Sequence, residues 1–301
     1  MTQQLHYEIA GYHLLIDTPN AEITDRLLPS FSPFRLHDEK NVHTDLLFRF
    51  TGNTHISLPD ANPVEMIEEA GALFRVYNSL DGITIAIAWN ETEHIIHISL
   101  KQKLVVGNMT LVRETENKFL AHFLRAAFGI VAAYRKTIKV HASVIEKEGK
   151  ALVFLGRSGT GKSTHSRLWK EFVPGCTLLN DDEPVVQIAD DGSVRVYGTP
   201  WSGSTPCYRN ASAEIAAFVH LYQSPENRLT QIKGVHAFTS LLQSAAVLRS
   251  DGKNRELVIS IVEDILKKVP VYRLDNRPDR EAVRLTETLM ASREINNFTQ
   301  P

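Results

Sequence analysis

The chain has 301 residues, and its 33 Lys and Arg against 35 Asp and Glu leave a formal net charge of −2. That near-neutral balance excludes broad electrostatic binding to nucleic acid or a membrane surface, while 43% hydrophobic residues suffice for a sizeable core. Two cysteines, Cys176 and Cys207, make neither a disulfide framework nor a cysteine zinc site, and they suit a reducing compartment.

The opening MTQQLHYEIAG has no basic region followed by an apolar one, so no signal peptide is expected. The longest apolar stretch, 119–134, is broken by His122 and Arg125 and is too short to span a bilayer. The expectation is a soluble, cytoplasmic protein. Up to about residue 113 the pattern is extended: 5–9, 13–16, 46–50, 72–77, 83–88 and 94–100 read as strands. Leu80-Asp81-Gly82-Ile83 reads as a hairpin turn, because Asp-Gly tolerates positive φ. One short helix is expected at 63–70. His94 and His97 sit three apart on a strand and face opposite sides, which argues against a shared metal.

A helix is expected at 117–134, where Phe119, Leu120, Phe123, Ala127 and Ile130 recur at helical spacing. A strand follows at 138–145, then a second at 150–155 bounded by glycines. Beyond these come a helix at 163–172, a strand at 176–179 and a β pair on either side of Asp190-Asp191-Gly192. The remainder reads as a strand at 215–222, helices at 235–248 and 256–268, a strand at 271–274 and a closing helix at 279–290. The boundary between a β-rich N-terminal domain (1–114) and a C-terminal α/β domain (115–301) falls just before the first long helix.

The chemistry concentrates in GRSGTGKST, 156–164, which satisfies G-x-x-x-x-G-K-S between a buried strand and a helix. In such a loop the backbone N–H groups turn inward around a phosphate at the positive end of the helix. Gly156, Ser158, Gly159, Thr160, Gly161, Lys162, Ser163 and Thr164 are therefore the expected nucleotide-binding residues. Lys162 reaches the terminal phosphates and the Ser163 hydroxyl ligates magnesium. Asp181-Asp182-Glu183 at the end of an apolar strand reads as the carboxylate pair that phosphoryl transfer needs, one for the ion and one for the hydroxyl proton. Its competing reading is a solvated acidic turn. His141 on the preceding strand is otherwise a satisfied sheet histidine. Trp201 suits a base or acceptor face as well as packing, and Arg209 suits a phosphate contact as well as the surface.

VHASVIEKEGKALVFLGRSGTGKSTHS followed by LLNDDEP resembles the superfamily of HPr kinase/phosphorylase and ATP-dependent phosphoenolpyruvate carboxykinase, over about 45 residues in the same order. The resemblance implies an α/β fold with a mixed sheet around the phosphate loop and ATP with Mg2+ as cofactors. It also implies Asp181 as the base, Asp182 as a metal ligand and His141 as a metal or phosphate-site residue. The length and the β-rich first half are most similar to HPr kinase-related proteins, some of which phosphorylate ribosomally made peptides. Thr164 stands where HPr kinases usually have glutamate. The expected function is transfer of the γ-phosphate to a hydroxyl of a small protein, peptide or small molecule, with the acceptor in a groove between the two halves. The alternatives are a short carboxykinase and a non-catalytic nucleotide-binding accessory protein. Oligomerisation is compatible with this superfamily.

Overall fold

The computed structural model describes residues 2–37, 45–69, 71–79, 81–203, 205–248 and 251–290. They form an α/β fold with two mixed sheets. The first opens with a hairpin of β1 (Gln3–Ile9) and β2 (Tyr12–Thr18). Ala10 and Gly11 between them take φ of 54° and 76°, the positive values that let a two-residue loop follow the strand twist. Asn20 then caps α1 (Ala21–Leu27), its Oδ1 accepting from the Ile23 N–H at 3.0 Å. A short 3-10 helix (Pro29–Phe34) delivers Phe31 and Phe34 to the core. β3 (Leu46–Thr51) runs parallel to β2. β4 (Glu65–Glu69), β5 (Ala72–Ser79), β6 (Gly82–Trp89), β7 (Thr92–Ser99) and β8 (Leu104–Gly107) form an antiparallel meander that returns β8 alongside β3. α2 (Asn117–Ala133) sets Phe119, Phe123, Leu124 and Phe128 into the same core.

Residues 65–69 are a strand, not the expected helix. A segment this short is well below the length at which a helix sustains itself in water, and pairing with β5 satisfies the same backbone groups. The expected β5–β6 hairpin is present, with Ser79 opposite Gly82; Leu80 lies outside the described residues. α1, the 3-10 helix and the four-residue β8 were not expected, being too short to carry a periodic signal.

The second sheet contains β9 (Thr137–Lys139), β10 (Ala142–Lys147), β11 (Lys150–Leu155), β12 (Thr177–Asp182), β13 (Val185–Ile188), β14 (Val194–Tyr197), β15 (Ser212–Gln223), β16 (Arg228–Ile232) and β17 (Val271–Asn276). β11 lies inside it, antiparallel to β10 and parallel to β15. Its side chains alternate between two cores, as strand geometry requires. Ala151, Val153 and Leu155 meet the layer of α4 (Gly234–Ser244) and α5 (Gly252–Leu266). Leu152 and Phe154 meet the layer of α3 (Lys162–Phe172) and α6 (Arg280–Glu287). β15 pairs with β14 near its start and with β17 further on. Because β11, β15 and β17 are parallel, their carboxyl ends open on one side, where open α/β sheets bind ligands.

The strand expected at 138–145 is two strands. β9 pairs with β13, whereas β10 pairs with β11 and β12. At the break the Val140 N–H donates to Pro184 O at 3.1 Å and the His141 N–H to Ser244 O at 2.7 Å. The helix expected to reach residue 248 stops at Ser244 for the same reason. Ala245 bridges Val140, and the Ala246 N–H donates to Lys139 O at 2.9 Å. Two segments remote in sequence thus exchange backbone bonds, and neither segment's own pattern reveals it. β16, paired with β17, was also unexpected.

Candidate functional site

β11 delivers the chain to a glycine-rich loop and α3 begins directly after it. Gly156, Gly159 and Gly161 take φ of 144°, 79° and 99°. A Cβ on Gly156 would stand 2.6 Å from Thr160 Oγ1, so the first turn of the loop has room for no side chain. Thr160 Oγ1 in turn donates to Arg157 O at 2.8 Å, and Gln223 Nε2 donates to Gly159 O at 3.3 Å. The loop is therefore closed on itself and tied to the end of β15. The first N–H groups of α3 have no intrahelical partners and carry the positive end of its dipole.

Lys162, the first residue of α3, folds back over this loop. Its Nζ donates to Gly156 O at 2.9 Å and Arg157 O at 3.3 Å, and lies 2.9 Å from His141 Nε2. Burial pushes the Lys162 ammonium below its ordinary pKa, and the charges of Asp182 and Asp181 oppose that shift. Ser163 Oγ donates to Asp181 Oδ1 at 3.0 Å. Asp182 turns elsewhere, its Oδ1 lying 2.9 Å from His141 Nδ1. His141 thus meets Lys162 with one ring nitrogen and Asp182 with the other.

Three consecutive carboxylates on β12 and just after it have three different partners. The Asp181 backbone carbonyl accepts from the Gly203 N–H at 2.8 Å and Ser202 Oγ at 3.1 Å, which holds its side chain toward α3. Asp182 has φ 137°, a conformation side chains rarely adopt, with a cost of about 1–3 kcal/mol. Glu183 sits between Lys139 Nζ at 2.9 Å and Arg125 Nη1 at 3.3 Å. Burial raises the Glu183 carboxyl, but Lys139 and Arg125 more than offset this and hold it below the usual carboxylate range.

A cleft of about 350 Å³ opens over these groups, lined by His141, Ser158, Gly159, Gly161, Lys162, Ser163, Thr164, Asp181, Asp182 and Gly203. Gly156 and Thr160 belong to the loop that supports it. A second cavity of about 300 Å³ shares Ser163, Thr164 and Asp181 with the first. Trp201 is elsewhere. It is buried against Phe31 and Phe128, at ring separations of 6.0 and 5.2 Å, and is a packing residue. Arg209 Nη1 donates to Thr177 Oγ1 at 2.7 Å and Leu178 O at 3.0 Å, so it clamps the start of β12.

The groove expected between the two halves is a small apolar cavity of about 170 Å³, lined by Ile67, Phe74, His122, Ile130 and the Arg125–Glu183–Lys139 cluster among others. None of Lys162, Ser163, Asp181 and Asp182 lines it. His94 and His97 do point apart: His94 meets Phe119 and Asn108, and His97 meets Thr84 and Asp81. Sequence reading assigned no role to Lys139, Arg125, Ser202 or Gly203. The signal available was Glu183 itself, an acid after an apolar strand that requires a cation once buried.

Among the described residues no helix is long and apolar enough to cross a membrane. No family model matches the sequence, and no curated protein matches it. Among solved structures, the chain is weakly similar to the HPr(Ser) kinase/phosphatase from Coxiella burnetii. The identity is 14% and the TM-score 0.30, over 50% of this chain and 87% of that one.

Proposed function

We propose that this chain is an ATP-dependent phosphotransferase that moves the γ-phosphate to a hydroxyl group. The observation that carries this reading is the meeting of Lys162, Ser163, Asp181, Asp182 and His141 in one cleft at the positive end of α3. The loop N–H groups and Lys162 bind the phosphates and stabilise the charge that spreads over the transferred group. Ser163 with the two aspartates offers hard oxygen donors, a set that suits magnesium, which retains water and phosphate oxygens instead of a full protein cage. Magnesium bound there supplies neutralisation of phosphate charge.

Asp181 lies at the junction of the two cavities and is the group assigned as base. The acceptor oxygen forms a bond to the γ-phosphorus as the bond to the bridging oxygen breaks. ADP leaves, and the hydroxyl proton passes to the Asp181 carboxylate. His141 positions Asp182 and Lys162.

The test uses γ-labelled ATP and magnesium with extract of the source cells and wild type, Lys162→Met or Asp181→Asn protein. The expected result is a labelled peptide or protein formed by wild type, with Lys162→Met losing nucleotide binding. Asp181→Asn should keep binding within a few-fold while transfer falls by roughly 10²–10⁴-fold. Nucleotide binding with no transfer to any fraction would instead favour an accessory role.

A further inference from the structure

The second cavity is placed where an acceptor would have to stand, and its chemistry is one-sided. It shares Ser163, Thr164 and Asp181 with the phosphate cleft, then continues along α3 past Arg167 and Lys170, with Leu178 and Thr205 opposite. Arg167 and Lys170 are exposed. Among the described residues neither has an ion-pair partner, although Glu171 stands one helical turn from Arg167. An uncommitted pair of cations beside a carboxylate is a polarised site: the Asp181 end repels an anion and the Arg167–Lys170 end attracts one.

Resting on the phosphotransferase reading above, we infer that this cavity binds an acidic peptide, with the acceptor Ser or Thr at Asp181 and a carboxylate side chain at Arg167 and Lys170. The spacing defines the peptide. Arg167 and Lys170 lie four and seven residues beyond Ser163, about 6 and 10 Å along the helix axis. An extended peptide covers that distance in about two to three residues. The acidic residue therefore belongs two or three positions from the hydroxyl. Thr205, Arg167 and Lys170 are all exposed, so the cavity is a groove open at the end by which a chain leaves. A small metabolite would leave that end unfilled.

The experiment measures binding first and transfer second, on full-length protein saturated with magnesium and a non-hydrolysable ATP analogue. Two fluorescent peptides serve as probes, each with one serine followed two and three positions later by either Glu-Glu or Gln-Gln. The acidic peptide should bind about five-fold more tightly. That preference should vanish in Arg167→Glu/Lys170→Glu and in about 1 M salt, while affinity for the nucleotide analogue stays unchanged. Equal binding of the two peptides by wild type, absence of binding, or a preference that survives charge reversal would each overturn the inference. Labelled ATP then separates this proposal from the one beneath it. A peptide that binds with the expected preference yet receives no phosphate supports the acidic groove and counts against the kinase.

Discussion

The two sheets differ in the charged groups they bury. In the first sheet the buried carboxylate, Glu116, is held by its neighbours in the chain, accepting from the Thr110 and Leu111 N–H groups at 2.9 and 2.8 Å, and hydroxyls such as Thr18 and Thr24 pair with each other at 2.6 Å. Most of that core is apolar, with Phe31, Phe34, Phe48, Phe50, Phe123 and Phe128 fully enclosed. In the second sheet charged and hydroxyl groups are buried side by side, as where Lys162, Asp181, Ser143 and Ser166 are all enclosed near the start of α3. Burying a cation costs free energy unless its partners replace water. The first region is built for stability, and the second gives some stability away to hold charge in a partly enclosed cleft.

The largest expected effect lies in the first region. Phe128 packs against Tyr12 and Trp201, and Phe128→Ala should cost about 3–5 kcal/mol in denaturant unfolding. Lys162→Met, equally central in position, should cost less, about 2 kcal/mol, since burial already penalises the Lys162 charge and what is lost is chiefly its hydrogen bonds to the Gly156 and Arg157 carbonyls. A loss as large as that of Phe128→Ala would erase the contrast.

Acid sharpens it further. His165 is buried on α3, and burial lowers its pKa from 6.5 to about 4. The unfolded chain therefore binds the proton first, so the stability due to neutral His165 is complete above pH 6.5 and is lost as pH falls toward 4. The advantage of wild type over His165→Gln should narrow by up to about 3 kcal/mol across that window; an unchanged gap would mean the ring protonates without cost. His6 in the first sheet, also lowered to about 4 by burial and by His13 and Arg35, is common to both proteins and cancels.

A further, small effect isolates backbone strain. A Cβ on Gly161 would meet nothing within 4 Å, yet its φ is 99°. Gly161→Ala should cost about 1–2 kcal/mol by conformation alone, read from the denaturant midpoint. A neutral result would show that the loop relaxes.

The sequence made legible what is local. The 156–164 motif lies between a buried strand and a helix, and the long strands and α2 follow their own periodicities. What stayed hidden depends on remote partners. Nothing near Val140 announces that Ala245 will interrupt its strand, and Trp201 is drawn into the aromatic core by Phe31 and Phe128. Asp181 and Asp182 were both visible as carboxylates, but only the fold shows that Ser163 meets the first and His141 the second.

The three adjoining carboxylates also bear on how the molecule assembles. Their tethers reach across 18 residues to Ser163, 44 to Lys139 and 58 to Arg125. Closing such loops is entropically unfavourable until many other contacts exist. No early hairpin or isolated helix can present this constellation, so the site comes together in the closing stage of folding. The constellation is absent while any of α2, β9 or α3 remains undocked, so on the phosphotransferase reading proposed above activity would arrive only with completion of the fold.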